Sequence, residues 1–258
     1  MPFERKEIAL KSGPLPYLVA GDGPALLYLH PAGGPMQTKF LLGLAAAHRV
    51  YVPIMPGFDR TPARAGVATI PDLAGLAAEF AREAIGKPSD VIGASFGGWI
   101  ALWLTIRHPE QVEQLVLEAP AGLAFGIDPK TFSPEEARRK LFLHPEKAAG
   151  LAPAPEVAAA NGEAFRRYGK GALIDQDLAD RVHGITARTM VLMATADALI
   201  PAATGHFLMS RIPACHLAYI YGAAHALEVD QPEATLRLVR AFLERGDAYV
   251  VNFGRDAA

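Results

Sequence analysis

Short apolar runs alternate with amphipathic segments along most of the chain. Residues 25–29, Ala-Leu-Leu-Tyr-Leu, form an unbroken apolar run, which is typical of a strand covered on both faces. Residues 70–85 place Leu73, Leu76 and Phe80 on one side of a predicted helix. The same patterns predict strands over 7–11, 16–20, 49–54, 89–94, 112–118, 188–195 and 216–221, and helices over 36–47, 96–108, 201–211 and 232–245. This alternation predicts an α/β fold with a mostly parallel, doubly wound sheet.

The segment from residue 122 to residue 185 interrupts the alternation because it contains no convincing strand. Pro, Gly and Asp separate helical fragments within it, at residues 134–142, 155–168 and 175–182. A structureless loop of this length is uncommon inside a compact domain. We therefore predict a core formed by residues 1–121 and 186–258, with residues 122–185 inserted as a helical cap over the strand ends.

Composition narrows the class of protein. The chain has 258 residues, of which 51% are hydrophobic and 20% are charged, as in a globular protein of one domain or one domain with an insertion. A net charge of −2 gives no electrostatic reason to bind nucleic acid or an anionic membrane. Cys215 is the one cysteine, so no intramolecular disulfide can form, and the charged N-terminus lacks the apolar core of a signal peptide. We expect a cytoplasmic protein that acts on a small molecule, with neither nucleic acid nor membrane as partner.

Residues 93–97, Gly-Ala-Ser-Phe-Gly, stand between a predicted strand and a predicted helix. A strand that turns sharply into a helix at Gly-x-Ser-x-Gly is the context of a nucleophile elbow, in which the serine is exposed at the turn. Gly93 and Gly97 suit the turn because neither carries a Cβ that would crowd it. Ser95 is therefore the candidate nucleophile.

A serine nucleophile needs a base, and the base needs an acid that orients it. Of eight histidines, His225 is the best candidate because it follows the last predicted strand on a loop of small residues. Asp197 follows the predicted strand 188–195, which puts it at the same edge of a parallel sheet. Glu118, at the end of another predicted strand, is a rival for the role of the acid.

These segments resemble those of the α/β-hydrolase fold family. Ser95, Asp197 and His225 occur in the nucleophile-acid-histidine order of that family. The likeness is carried by Leu-His-Pro-Ala-Gly-Gly at 29–34, by residues 93–98, by residues 197–201, and by His225 with Asp-Gln-Pro-Glu at 230–233. The resemblance implies an α/β-hydrolase fold with a helical cap, and hydrolytic chemistry that uses neither a cofactor nor a metal.

The resemblance also implies an oxyanion hole formed by two backbone N–H groups. One comes from Phe96, directly after the nucleophile, and the other from Ala32, in the loop after the third strand. Pro31 stands where the family usually has glycine. Proline lacks an N–H only at its own position, so the Ala32 donor is retained.

Ser95 favours acyl-enzyme chemistry, unlike relatives that have aspartate at the elbow. We expect a serine hydrolase, carboxylesterase-like, that acts on a small to medium, largely apolar ester, thioester or lactone. Three alternatives stay open: a C–C bond hydrolase or perhydrolase with the same triad, a non-catalytic ligand-binding receptor of the same fold, and a lyase that uses Ser95 and His225 as acid–base groups.

The substrate depends on the predicted cap, whose sequence is less informative. We expect substrate contacts from His30, Trp99 and Phe125. Several apolar residues either line a pocket or pack the cap helices: Phe125, Phe132, Phe142, Leu143, Phe165 and Tyr168. Others make the cap locally positive: Lys130, Arg138, Arg139, Lys140, Arg166, Arg167 and Lys170. The oligomeric state stays open, as does the role of the tail 247–258, whose residues 248–253 are capable of forming a strand.

Overall fold

One eight-stranded sheet forms the centre of the molecule, as given by a computed structural model that describes residues 2–125, 136, 140–172 and 174–249. The spatial order of the strands is β1-β2-β4-β3-β5-β6-β7-β8. The strands β3 to β8 are mutually parallel, while β2 is antiparallel to both β1 and β4. Their bounds are Glu4–Leu10, Gly13–Ala20, Ala25–Leu29, Arg49–Pro53, Ser89–Ala94, Val112–Glu118, Arg188–Ala194 and Cys215–Ile220. The predicted fold class is confirmed.

Helices cover the sheet. They are α1 to α8 in chain order, with bounds Lys39–Leu44, Ile70–Phe80, Phe96–Arg107, Pro155–Gly169, Gln176–Arg181, Ala202–Arg211, Leu227–Asp230 and Pro232–Arg245. Helix α1 packs against α7 and α8, whereas α2 packs against α3. Right-handed crossovers put α1 on the opposite face of the sheet from α2 and α3. The sheet is therefore covered on both faces, which explains the continuous apolar runs of its central strands.

Local signals explain where the helices begin and end. Helix α2 begins with a capping box, in which the side chains of Thr69 and Asp72 accept hydrogen bonds from each other's backbone N–H. It continues as a π-helical turn over Ala81–Ile85 and stops at Gly86, which has a φ of 77°. Helix α1 is shorter than the predicted 36–47: it begins after its N-cap Thr38 and ends at Leu44.

The core lies between the sheet and these helices. The apolar side chains of β3, β5, β6 and β7 are buried almost completely, as are Phe40, Phe58, Phe80, Phe96 and Phe242 from the surrounding segments. Burial of this apolar surface is the dominant favourable term in folding. The carboxyl ends of the strands therefore extend from a closely packed core.

The segment between β6 and β7, residues 119–187, is called the insertion below. Its described part contains α4, α5 and short 3₁₀ turns, together with an isolated bridge between Leu123 and Ile174. Helices predicted over 155–168 and 175–182 correspond to α4 and α5, whereas the predicted helix 134–142 lies mostly outside the described residues. The boundaries of a separate cap, 122–185, stay a prediction.

The chain leaves α8 through a 3₁₀ turn over Gly246–Tyr249. The ring of Tyr249 packs edge-on against His216 and Phe242 at centroid distances of 5.3 and 5.5 Å. The strand predicted from residue 248 therefore does not begin there, and the rest of the predicted tail strand lies outside the described residues. Within the described ranges, no helix combines the length and the apolar character that a membrane span needs.

Candidate active site

Ser95 sits at the turn between β5 and α3 with a strained backbone. Its φ of 50° and ψ of −110° are rare for a residue with a side chain and cost on the order of 1–3 kcal/mol. Backbone hydrogen bonds hold it there: its N–H donates to the Glu118 carbonyl at 2.8 Å, and its carbonyl accepts from Ala121 N–H at 2.9 Å. The neighbouring strand β6 and the residues after it thus enforce the conformation.

Two glycines allow this turn to form. A Cβ on Gly97 would lie 1.9 Å from the Leu29 carbonyl oxygen, and one on Gly93 would lie 2.6 Å from the Gly97 carbonyl oxygen. Both contacts are with backbone that cannot move aside. The glycines in the Gly-x-Ser-x-Gly pattern are therefore needed for close approach of the chain rather than for flexibility.

The side chains of Ser95, His225 and Asp197 form a continuous hydrogen-bonded chain. The Ser95 Oγ is 2.8 Å from His225 Nε2, and His225 Nδ1 is 2.9 Å from Asp197 Oδ2. Ser95 is partly exposed, while the side chains of His225 and Asp197 are 8% and 1% exposed. Residues that are 130 and 28 positions apart in sequence are therefore brought together at the carboxyl edge of the sheet.

Asp197 is held as an ionised acceptor. Its Oδ1 accepts N–H groups from Leu199 and Ile200 at 2.8 and 2.9 Å. Burial acts to raise the pKa of Asp197, but the His225 imidazole and these two N–H groups outweigh burial and lower the pKa below its ordinary value. An ionised carboxylate at Nδ1 requires the proton on Nδ1, which leaves Nε2 free to accept the Ser95 hydroxyl proton.

Glu118, the rival acid, does not occupy the position beside the imidazole. Its side chain is buried, and Oε1 has no hydrogen-bond partner among the described residues. Burial and the nearby Glu228 carboxyl raise the pKa of Glu118 well above its ordinary value. Glu228 itself accepts the Tyr28 hydroxyl at 2.9 Å. These three residues form a buried polar cluster in the core, and Asp197 alone of the two candidate acids bonds to His225.

The predicted oxyanion donors, Phe96 N–H and Ala32 N–H, have no hydrogen-bond acceptor within the part of the chain that the structure describes. Phe96 is the first residue of α3, where a helix leaves its N–H groups unpaired. The loop that carries Ala32 is closed by a hydrogen bond of 2.9 Å from Gly34 N–H to the Pro31 carbonyl. Both donors are therefore available to a bound group.

Asn161, on α4 of the insertion, supports the Ala32 loop. Its side-chain amide donates to the Gly33 carbonyl at 2.7 Å and accepts from Asp59 N–H at 2.9 Å. The side chain is buried. No signal in the sequence marks this residue, because one asparagine on an amphipathic helix is ordinary.

His30, a predicted substrate contact, is a buried residue in the structure, and its contact with substrate stays a prediction. Its ring is fully buried: Nε2 accepts from Met55 N–H at 3.2 Å, and Nδ1 lies 2.8 Å from the Pro31 carbonyl. Burial lowers the pKa of His30 to about 4, so the ring is neutral near pH 7. A neutral ring with both nitrogens engaged supports two loops beneath the site and presents no free polar atom to a ligand.

Trp99 likewise packs inside the protein, whereas Phe125 stays a candidate contact. Trp99 is 3% exposed, and its indole N–H donates to Asp175 Oδ2 at 2.9 Å, while its predicted contact with substrate stays a prediction. Trp103 donates to the same oxygen at 2.8 Å. Phe125 is half-buried against Phe207 at a ring distance of 4.8 Å. The two indoles therefore anchor the insertion to α3.

The other predicted insertion residues divide into packing and surface positions. Phe165 packs edge-on to Phe96 at 5.6 Å, and the Tyr168 hydroxyl donates to the Pro56 carbonyl at 2.9 Å. Leu143 is exposed and Phe142 is half-buried. Arg166, Arg167 and Lys170 are exposed, with Arg167 above the Tyr168 ring. Four predicted residues lie outside the described ranges: Phe132, Lys130, Arg138 and Arg139.

No cluster of three or more His, Cys, Asp or Glu side chains suited to a metal ion occurs among residues 2–125, 136, 140–172 and 174–249. A serine hydroxyl hydrogen-bonded to an imidazole, with two backbone N–H groups that lack an acceptor among the described residues, suits nucleophilic attack on a carbonyl carbon.

Comparisons with known proteins identify relatives of this chain. A model of the α/β hydrolase fold family matches residues 24–161. The chain is 30% identical to a pimeloyl-[acyl-carrier protein] methyl ester esterase of Aromatoleum aromaticum, over 81% of this chain and 94% of that protein. It is 27% identical to a 2-hydroxymuconate semialdehyde hydrolase of Pseudomonas putida, over 90% of this chain and 87% of that protein.

A solved crystal structure also has a similar fold. The crystal structure of a serine hydrolase from Cycloclasticus zankles matches with a TM-score of 0.74 at 20% identity, and the match covers 95% of this chain and 99% of that chain. The family match includes the Ala32 loop and the Ser95 elbow. The named relatives are hydrolases, which supports hydrolase as the enzyme class of this protein. The chain belongs to the α/β-hydrolase fold family.

Proposed function

We propose that this protein is a serine hydrolase that cleaves a small to medium, largely apolar carboxylic ester, thioester or lactone through an acyl-enzyme intermediate. The observation that carries the proposal is the hydrogen-bonded chain from Ser95 Oγ through His225 to Asp197. The ester-hydrolysing relative that is 30% identical over most of both chains supports the ester class. The cytoplasmic location stays a prediction.

The first half of the reaction forms the acyl-enzyme. Ser95 Oγ attacks the carbonyl carbon while His225 Nε2 takes the hydroxyl proton, and Asp197 stabilises the imidazolium that results. Phe96 N–H and Ala32 N–H bind the negative charge that develops on the carbonyl oxygen, each contributing roughly 3–4 kcal/mol of transition-state stabilisation. The tetrahedral intermediate then breaks its bond to the leaving alcohol or thiol, which receives the proton from His225.

The second half releases the acid. His225 removes a proton from water, the hydroxide equivalent attacks the acyl carbon, and the bond to Ser95 Oγ breaks as that oxygen regains its proton. Phe96, next to the nucleophile, packs against Phe58 and Phe165, so the residues behind the elbow are apolar.

A second candidate reaction is C–C bond hydrolysis with the same three residues. The 2-hydroxymuconate semialdehyde hydrolase that is 27% identical over 90% of this chain supports it. In that reaction the leaving group is a carbanion equivalent, and His225 again supplies the proton. The two candidates differ in the bond that breaks and can be separated by substrate.

The main test compares the wild-type protein with Ser95→Ala on a short p-nitrophenyl ester and on a fluorophosphonate probe. Removal of a triad serine should lower turnover by about a millionfold and abolish labelling. Ser210→Ala removes an exposed serine hydroxyl that donates to the Phe207 carbonyl within α6, so it should leave both measurements unchanged. Wild-type protein that binds an apolar ligand tightly, yet neither hydrolyses esters of several acyl lengths nor takes the probe, would instead support a receptor.

A second pair of variants tests the choice of acid. Asp197→Asn removes the charge that orients His225, and turnover should fall by about 10⁴-fold. Glu118→Gln should retain turnover within a few-fold, because Glu118 does not contact the imidazole. Equal losses in both variants, measured as kcat/KM on the same ester, would contradict the assignment of Asp197.

A further inference from the structure

Asp230, at the end of α7, is a buried carboxylate that the proposed reaction does not use. Its Oδ2 accepts N–H groups from Ala224 at 2.8 Å and from Leu143 at 2.9 Å, and its Oδ1 accepts from His144 N–H at 2.9 Å. The residue is fully buried. One of these donors directly precedes His225, and the other two belong to the insertion.

A second connection lies on the other side of His225. The N–H of Ala226 donates to the Leu141 carbonyl of the insertion at 2.8 Å. In addition, the Lys147 ammonium lies 2.5 Å from the Asp230 carbonyl oxygen. The backbone on both sides of the imidazole is therefore hydrogen-bonded to residues 141–144, once directly and once through Asp230.

This arrangement differs from a lid that only covers a substrate. The loss of hydrogen-bond donors from a buried carboxyl group destabilises the fold, because its oxygens are left unsatisfied. If residues 141–144 moved away, Ala224 N–H would retain its acceptor but Asp230 would lose two of its three donors while buried. Docking of the insertion and placement of the His225 loop are thus energetically linked.

We propose that Asp230 is a positioning residue that couples the docking of residues 141–147 to the orientation of His225. The inference rests on the proposed function for its catalytic consequence, since His225 is the base in that reaction. The structural part of the proposal does not depend on that function. Weaker hydrogen bonds to Asp230 should increase the mobility of residues 221–226 and 141–147 together.

The test uses the full chain with Asp230→Asn, which keeps the shape but replaces one acceptor oxygen with an NH₂ group. Hydrogen–deuterium exchange should accelerate in peptides that cover 221–226 and 141–147. Asp175→Asn is the matched control, because Asp175 also anchors the insertion, and its side chain accepts hydrogen bonds from α3 and α5. It should accelerate exchange around residue 175 and leave residues 221–226 unchanged.

The catalytic readout is the labelling of Ser95 by a fluorophosphonate probe, with the labelling rate constant separated from probe affinity. Loss of part of a buried hydrogen-bond set predicts that Asp230→Asn lowers the rate constant by about tenfold with little change in affinity. Lys147→Met removes an exposed side chain from the same cluster and serves as a variant that does not alter the buried carboxylate. It should lower the rate constant in the same direction by a smaller factor.

The outcomes separate the two proposals. Unchanged exchange at 221–226 in both Asp230→Asn and Lys147→Met would overturn the coupling, whatever the activity. Faster exchange in both segments with an unchanged labelling rate would overturn the positioning role. A wild-type protein that is not labelled at all would defeat the proposed function, while the exchange data would still decide the coupling.

Discussion

The strand ends of the core and the insertion differ in how their polar groups are held in place. In the core, main-chain hydrogen bonds and completely buried apolar side chains fix Ser95 between β5, β6 and α3. In the insertion, apolar side chains such as Leu178 and Tyr168 also join the buried core. Polar side chains add single attachments there, with hydrogen bonds from Asn161 to Gly33 and from Trp99 to Asp175.

This difference shows which part of the site tolerates change. Several independent contacts fix the backbone conformation at Ser95. They are its hydrogen bonds to residues 118 and 121 and the close backbone contacts at Gly93 and Gly97. The polar attachments of the insertion are instead made by single side chains, and one of these, Asn161, also contacts the loop that carries Ala32. Sequence changes in the insertion can therefore alter the site without unfolding the sheet.

The largest stability effect expected is Leu27→Ala in β3, compared with Leu143→Ala in the insertion. Leu27 is 0% exposed and Leu143 is 46% exposed. The core variant leaves a cavity and should lower the free energy of unfolding by about 2–5 kcal/mol, whereas the insertion variant should stay within about 0.5 kcal/mol. Urea denaturation measures both. Equal losses would mean that the insertion is packed as tightly as the core.

A smaller effect on stability, with a larger one on activity, is expected for Asn161→Leu. The Gly33 carbonyl and the Asp59 N–H lose their partners, which should cost about 1–3 kcal/mol in the free energy of unfolding. The Ala32 loop then loses its support, so kcat should fall by less than the roughly 10²–10³-fold that removal of an oxyanion donor costs, with little change in KM.

The matched control for Asn161→Leu is Gln176→Leu, which removes an exposed amide that bonds to Asp180 within α5. It should change neither stability nor kcat beyond experimental error. If Asn161→Leu raises KM while kcat stays constant, its role is in binding rather than in support of the oxyanion loop.

The smallest expected effect is a pH-dependent change in stability, and it involves the buried polar cluster of Tyr28, Glu118 and Glu228. Burial raises the pKa of Glu228 to about 7, against the effect of the Tyr28 hydroxyl bond. A carboxyl group whose pKa is higher in the folded state binds its proton more tightly there. Such a group does not lower the free energy of unfolding at a pH below its pKa in the unfolded state, but it lowers that free energy increasingly as the pH rises toward its pKa in the folded state.

Glu228→Gln should therefore gain stability relative to the wild-type protein as pH rises from about 5 to 8, by on the order of 1 kcal/mol. Glu163→Gln, on the exposed face of α4, should show a flat difference over the same range. Parallel urea-denaturation midpoints for Glu228→Gln and wild type at every pH would contradict the raised pKa. The buried Glu228 carboxyl would then have no pH-dependent effect on the free energy of unfolding, in contrast to the buried Asn161 side chain of the insertion, which we expect to stabilise the fold.

Much of the fold was predictable from periodicity, because a strand covered on both faces must be apolar throughout. Helices α2 and α8 were predicted well, since their apolar faces repeat at helical spacing, whereas α3, buried all round over residues 96–105, was predicted from the turn pattern that precedes it. Helix α1 was predicted too long, because the cap at Thr38 competes with an apolar pattern that extends past it. The short helix α7 was not predicted, since four residues carry no period.

The sequence by itself determined the order of Ser95, Asp197 and His225 and their common position at strand ends, because a parallel α/β sheet collects its loops at one edge. Only the tertiary structure decided between Asp197 and Glu118, since distance to the imidazole depends on side-chain direction. It also revealed Asn161 and Asp230, whose partners are backbone atoms far away in sequence. Main-chain N–H and carbonyl groups are the same at every residue, so a contact with them leaves no trace in the identity of the partner.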